Sequence, residues 1–294
     1  MLKYRKIFFT FFLIFFFQIF LSSFAYSEEY NTKNNTTTWL WDTSLIVNSQ
    51  ESILKSLSDN NISVVYLQIN KRIDLKYYKS FISAATDLNI SVYALDGSPT
   101  FINPTNKQYQ LFFDWISNYQ SSALDKEEFQ GIHLDVEPYL LKNWSKNSRS
   151  ISLKYQNFIL DSKYKSELLD LPIGFDIPFW FDSISFNNIH GKGNLAEFVI
   201  KNSDATTVMA YRNIAKDIIE ISKSEVAFAN KYNKKINIAI ETLPSQEGSF
   251  ISFYGSSYSY MDEQLNLVTS TFSSSNSFNG MSIHDITGLI NMKK

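Results

Sequence analysis

Eight short runs rich in β-branched and aromatic residues alternate with longer segments of helical spacing from residue 38 onward. The runs are 38–42, 62–69, 90–96, 131–137, 171–178, 205–211, 236–242 and 280–285. Between them lie 51–60, 77–89, 107–127, 148–169, 194–203, 214–234 and 261–274. In 77–89, Tyr78, Phe81, Ile82 and Ala85 fall on one helical face. Strand alternating with helix eight times predicts a single α/β domain, a closed (β/α)8 barrel spanning 38–294. An open doubly wound sheet is the competing arrangement. It usually has fewer strands and a Gly-rich first turn, and this chain has only 9 Gly and no such turn. The stretches 97–107 and 178–193 each follow a strand, so they are expected as loops on the barrel's C-terminal face, where active sites are built.

The N-terminus has a different composition. Lys3, Arg5 and Lys6 precede a 15-residue apolar run, Ile7 to Leu21, interrupted only by Thr10 and Gln18. Ser23-Phe24-Ala25 then offers a small-residue cleavage site. Residues 1–25 therefore read as a secretory signal peptide, too short in its apolar run for a spanning helix. Residues 26–37 read as a flexible polar leader. The protein is expected to be secreted, with no stable membrane span after cleavage. Losing three positive charges takes the formal net charge from -2 to about -5. Without a basic stripe, nucleic acid and anionic membrane are not expected partners. The chain has no Cys, so disulfides, thiolate metal sites and a Cys nucleophile are excluded. No cofactor is expected, and a monomer is.

Polar groups gather at the C-terminal ends of the predicted strands. Asp42, Gln68, Asp96, Asp135 with Glu137, Asp176, Tyr211-Arg212, Glu241 and His284-Asp285 follow one another around the ring. Trp39, Trp41 and Trp180 lie among them. Aromatic faces with carboxylates suit sugars, whose C–H faces stack while their hydroxyls donate hydrogen bonds. A carbohydrate ligand, polysaccharide or glycan, is therefore expected. Trp39, Trp41, Gln68, Asp96, His133, Asp176, Trp180, Arg212 and His284 are the expected sugar contacts. On the fourth strand, alternation puts His133, Asp135 and Glu137 on one face and Ile132, Leu134 and Val136 on the other. Neighbouring carboxylates raise each other's pKa, which can keep one protonated as a general acid.

The segment Gly131-Ile132-His133-Leu134-Asp135-Val136-Glu137 resembles the fourth-strand signature of chitinase-like family 18 glycoside hydrolases, Asp-x-x-Asp-x-Asp-x-Glu. Here the four positions read Gln130, His133, Asp135 and Glu137. Met209-Ala210-Tyr211-Arg212 similarly resembles that family's Met-x-Tyr-Asp, with Arg212 in place of the acid. His284 stands nearest to the family's eighth-strand Trp. The resemblance implies Glu137 as general acid and Asp135 as the residue orienting a substrate amide that acts as nucleophile. The chain also resembles the large retaining clan of (β/α)8 glycosidases. That clan has Glu at the ends of strands four and seven, here Glu137 and Glu241, and Glu241 would then be the nucleophile. Asp135 is expected to stay ionised through Tyr211 or His133, and Arg212 to pair with Asp135 or Asp176.

Other chemistries find less support. Three His without His-x-His or His-Glu-x-x-His spacing make a poor metal set, so no metal is expected. There is no Gly-x-Ser-x-Gly and no Gly-rich phosphate loop. The alternative to a glycosidase is a non-catalytic glycan-binding or surface protein on a degenerate barrel, suggested by Gln130, His133 and Arg212.

Overall fold

The computed structural model describes residues 35–293. The segment read as a signal peptide and most of the leader lie outside the described residues. In chain order the strands are β1 (Thr36–Leu40), β2 (Ile62–Gln68), β3 (Ser91–Asp96), β4 (Gly131–Leu134) and β5 (Ile173–Pro178). They continue as β6 (Ser185–Asn188), β7 (Gly191–Asn194), β8 (Ala205–Met209), β9 (Lys235–Glu241) and β10 (Phe278–His284). The helices are α1 (Leu45–Asn48), α2 (Gln50–Asp59), α3 (Leu75–Asp87), α4 (Lys107–Gln120) and α5 (Trp144–Leu168). Then come α6 (Leu195–Lys201), α7 (Ala215–Tyr232), α8 (Tyr258–Phe272) and α9 (Ile286–Ile290).

Eight strands close a barrel in the order β1-β10-β9-β8-β5-β4-β3-β2, every neighbour parallel. β6 and β7 form a separate antiparallel hairpin within the stretch expected as a loop. α3 shows why the helices form where they do. Asp74 accepts from the Lys76 N–H as N-cap, and Tyr78, Phe81, Ile82 and Ala85 are the buried face.

Two apolar clusters hold the barrel. The larger lies between sheet and helices and takes Ile132, Leu134 and Val136. The smaller fills the barrel axis with Trp39, Tyr66, Leu95 and Ala239. Alternation along β4 thus sends its apolar residues outward and His133 inward.

Several boundaries differ from the sequence expectation. β1 begins at Thr36, inside the segment read as leader, and ends at Leu40, so Trp41 and Asp42 stand on its outgoing loop. β4 ends at Leu134, because Pro138 opens a 3-10 turn over Pro138–Leu140 and the chain before it leaves the ladder. Asp135 and Glu137 therefore lie beyond the strand. The helix expected over 107–127 ends at Gln120, and a 3-10 turn follows at Asp125–Glu127. Among the described residues no helix is long and apolar enough to cross a membrane.

Candidate active site

The barrel axis ends below the C-terminal face in a buried polar floor. The His133 ring lies flat on Tyr66, 3.7 Å between centroids and 6° between planes. Its Nε2 sits 2.8 Å from Asp176 Oδ1, while Asp176 Oδ2 accepts from Trp39 Nε1 at 3.2 Å. Gly174 makes room for this ring, since a Cβ there would stand 2.8 Å from His133 Nδ1. Trp39 is 1% exposed, and His133 and Asp176 are 2% exposed. These three were expected to touch sugar. They are nearly sealed from solvent, and a hydrogen-bonded carboxylate fixes the imidazole there.

Above the floor, β9 and β10 bring Glu241 and His284 together. Glu241 Oε1 accepts from the backbone N–H groups of Thr242 and Leu243 at 2.8 and 2.7 Å. Its Oε2 lies 2.9 Å from His284 Nδ1, and Trp41 Nε1 donates to His284 Nε2 at 2.9 Å. An indole N–H is only a donor, so Nε2 accepts and the ring proton sits on Nδ1, facing Glu241. Burial pushes the His284 pKa down, but Glu241, Asp285 and Asp176 more than offset it and the net direction is up. The Trp41 contact opposes protonation at Nε2, and this geometry describes a neutral imidazole.

Asp135, Glu137 and Tyr211 complete the centre. Tyr211 lies 6.0 Å from His284 between ring centroids. Burial and the charges of Glu241, Asp135, Asp176 and Glu137 keep its phenol protonated far above neutrality. Asp135 Oδ1 is buried and has no hydrogen-bond partner. Burial, then the charges of Asp176 and Glu137, push its pKa well up. Of the two donors expected to hold Asp135 ionised, His133 turns to Asp176 instead, and burial works against ionisation of Asp135. Burial also raises the pKa of Glu137, against a hydrogen bond donated by Tyr139. Gly97 fixes the spacing of these loops, since a Cβ there would fall 1.8 Å from the Asp135 carbonyl oxygen.

Two flanks extend the site. On the β1–β3 side a cleft of about 520 Å³ is lined by Trp41, Gln68, Lys71, Arg72 and Asp96 among others. Asp96 Oδ1 accepts there from Gln68 Nε2 at 3.2 Å and from the Gly97 N–H at 2.8 Å. On the β5–β9 side Trp180 packs edge-on against Tyr139 at 5.0 Å. Arg212 pairs with neither Asp135 nor Asp176. Its guanidinium lies over Phe179 and Phe250, at 5.1 and 5.2 Å, and donates to the Tyr211 carbonyl at 2.7 Å. The two phenyl faces draw it away from the carboxylates.

Sequence reasoning missed Tyr139 and Glu247. Tyr139 follows Glu137 by two residues, and the turn opened by Pro138 carries its hydroxyl back to the carboxylate. Glu247 lies in the loop after β9, near enough for its charge to raise the Glu137 pKa. The Glu-Pro-Tyr string could have pointed to Tyr139; nothing local marks Glu247. Among the described residues no group of three or more His, Asp or Glu side chains is arranged to hold a metal ion.

No family model matches the chain, and no curated protein sequence does. Solved structures match over most of its length. A chitinase from Chromobacterium violaceum superposes with a TM-score of 0.55 at 11% identity, covering 89% of this chain and 95% of that one. The spore cortex-lytic enzyme SleL of Bacillus megaterium also gives 0.55 at 11% identity, over 88% and 74%. The chain shares its fold with glycoside hydrolase barrels. A D-psicose 3-epimerase from Clostridium cellulolyticum gives 0.52 at 8% identity, over 85% and 84%. One barrel fold thus serves different sugar chemistries, and the activity has to be argued from the side chains.

Proposed function

We propose that this chain is a secreted glycoside hydrolase in which Glu137 protonates the leaving oxygen of a glycan. The observation that carries the reading is the Asp135–Glu137 pair at the mouth of the barrel. Both carboxyls are raised by burial, and one buried oxygen of Asp135 has no partner. Two neighbouring carboxyls whose pKa values are both raised keep a proton more readily than isolated ones, which suits one of them to act as an acid. Both residues are half-buried; in this reading Glu137, held by Tyr139, delivers the proton, and Asp135 holds charge or proton as the reaction requires. Tyr139 orients the Glu137 carboxyl, and Tyr211 presents a phenol that stays protonated for donation to the reacting sugar.

Glu241 fits a retaining nucleophile poorly. Its oxygens already accept three hydrogen bonds, which occupy lone pairs that a nucleophile would have to turn towards the sugar. In this reading Glu241 is the anion that orients His284, and the nucleophile is an amide on the substrate steered by Asp135, as the family 18 resemblance implies. Residues 1–25 serve as the export signal.

The test is hydrolysis of a panel of unactivated polysaccharides by the full chain and by Glu137→Gln. The substitution is expected to lower turnover by about 10²-fold or more, the usual worth of a positioned acid. Retention of wild-type turnover overturns the assignment. Glycan retention without any hydrolysis by the unaltered protein leaves the binding-protein reading in its place.

A further inference from the structure

We propose that the glycan taken by this cleft carries carboxylates and that Arg212 reads them, an inference that rests on the glycosidase reading above. Phe179, from the turn after β5, and Phe250, from the loop after β9, lie against the guanidinium at 5.1 and 5.2 Å. Covering a guanidinium with phenyl rings strips water from it and leaves its edges as the place where an acceptor can dock. One edge N–H donates to the Tyr211 carbonyl at 2.7 Å. The group has five N–H donors in a planar fork. Among the described residues no carboxylate lies within ion-pair distance of it. Stacking and the Tyr211 bond have already removed its rotamer freedom, so the remaining donors form a preorganised site for a planar anion. A sugar carboxylate fits this fork in two-point fashion.

The opposite flank supports the same substrate class independently. Lys71 and Arg72 line the cleft of about 520 Å³ on the β1–β3 side. Among the described residues neither has a carboxylate within ion-pair distance. The same cleft also carries Asp42 and Asp96, whose oxygens are held in place by neutral donors. Asp96 Oδ1 accepts from Gln68 and Gly97, and Asp42 Oδ1 accepts from the Ser44 N–H and Oγ at 3.0 and 2.6 Å. Asp96 reaches Lys71 only as a longer-range charge. Between the flanks, Asp135 and Glu137 resist ionisation and so repel an acidic sugar less than two ionised carboxylates would. Lys71 and Arg72 after β2 and Arg212 after β8 thus all stand on loops at the C-terminal face, which suits a chain with acidic residues at more than one position.

The competing role for Arg212 is a staple between the Phe179 turn and the Phe250 loop, and the test separates the two. The full chain with Glu137→Gln is applied to an array of neutral oligosaccharides, carboxylated ones and the methyl esters of the latter. Retention without hydrolysis is the readout. Carboxylated glycans are expected to be held in preference to their esters. Adding Arg212→Gln is expected to cut the acid-to-ester ratio about tenfold or more. Arg212→Lys restores it only in part, because an ammonium lacks the fork. A staple alone would weaken acid and ester alike and leave their ratio unchanged. Should Arg212→Gln fail to fold, the double substitution of Lys71 and Arg72 by Gln carries the same measurement on the other flank. Equal retention of acids and esters, no retention of any carboxylated glycan, or a ratio that survives substitution overturns the proposal. Glu137-dependent hydrolysis of neutral glycans without acid preference would remove this inference and leave the glycosidase reading standing.

Discussion

At the scale of single residues, depth along the barrel axis decides what a side chain can do. Trp39 lies within β1 and Trp41 on the loop that leaves it. Trp39 is sealed from solvent, while Trp41, two residues on, reaches His284. Alternation made the inward face of β4 legible, but the sequence carries no measure of height. Trp39, His133 and Asp176, expected as sugar contacts, are 1–2% exposed, a depth that alternation does not record. Arg212 was misjudged for a related reason: its aromatic partners come from 33 and 38 residues away along the chain, which no local pattern records. Away from the site, Glu225 on α7 is wholly buried, and neither carboxyl oxygen has a partner. Burial, helped by the charge of Asp182, lifts its pKa from 4.5 to about 8. An acid whose folded pKa exceeds its unfolded value binds its proton more tightly when folded. Stability is then greatest at low pH and falls as pH rises from 4.5 towards 8. Glu225→Gln is expected to raise the melting temperature at pH 8.5 and to do much less at pH 5. Equal shifts at both values would show that Glu225 does not titrate in that window.

At the scale of elements, periodicity was a good guide and punctuation a poor one. The eight parallel strands follow from runs of β-branched and aromatic residues bounded by polar turns. The β6–β7 hairpin was hidden because Ser-Phe-Asn-Asn-Ile-His-Gly-Lys-Gly-Asn has the composition of a loop. α9 was hidden because five residues are too few to show a period. β4 was overextended by three residues, although Pro138 marked where the ladder had to end. That early ending matters for function, since it releases Asp135 and Glu137 from strand geometry into the mouth of the barrel. Gly97 holds the neighbouring loop against them. Gly97→Ala would drive a methyl group into the Asp135 carbonyl, and relief requires the β3 and β4 ends to separate. The variant is expected to lose about 1–3 kcal/mol of stability, the usual cost of overpacking, together with most of its turnover. Denaturant unfolding and a rate measurement on the same preparation check this. A variant with wild-type values for both would mean that the approach of these loops does not set the site.

For the whole molecule, the closed barrel brings distant residues into one centre: the segment just after β4 supplies the acid pair, β9 and β10 the Glu241–His284 pair, and the loop after β1 its Trp41 partner. With no Cys in the chain, no disulfide braces this assembly. Export is expected to leave a new N-terminus near Tyr26, read by mass spectrometry of material recovered outside the cell. Intact Met1 in that material would point to a retained anchor. The central claim is that Glu137 gives a proton to the departing oxygen, and leaving-group dependence tests it most directly. Aryl glycosides with strongly electron-withdrawing leaving groups need little protonation, whereas an unactivated glycan needs it fully. With Glu137→Gln, turnover of the unactivated glycan is expected to fall by about 10²-fold or more, and cleavage of the activated glycoside far less. Equal losses on both substrates, or no loss on either, would contradict the role assigned to Glu137.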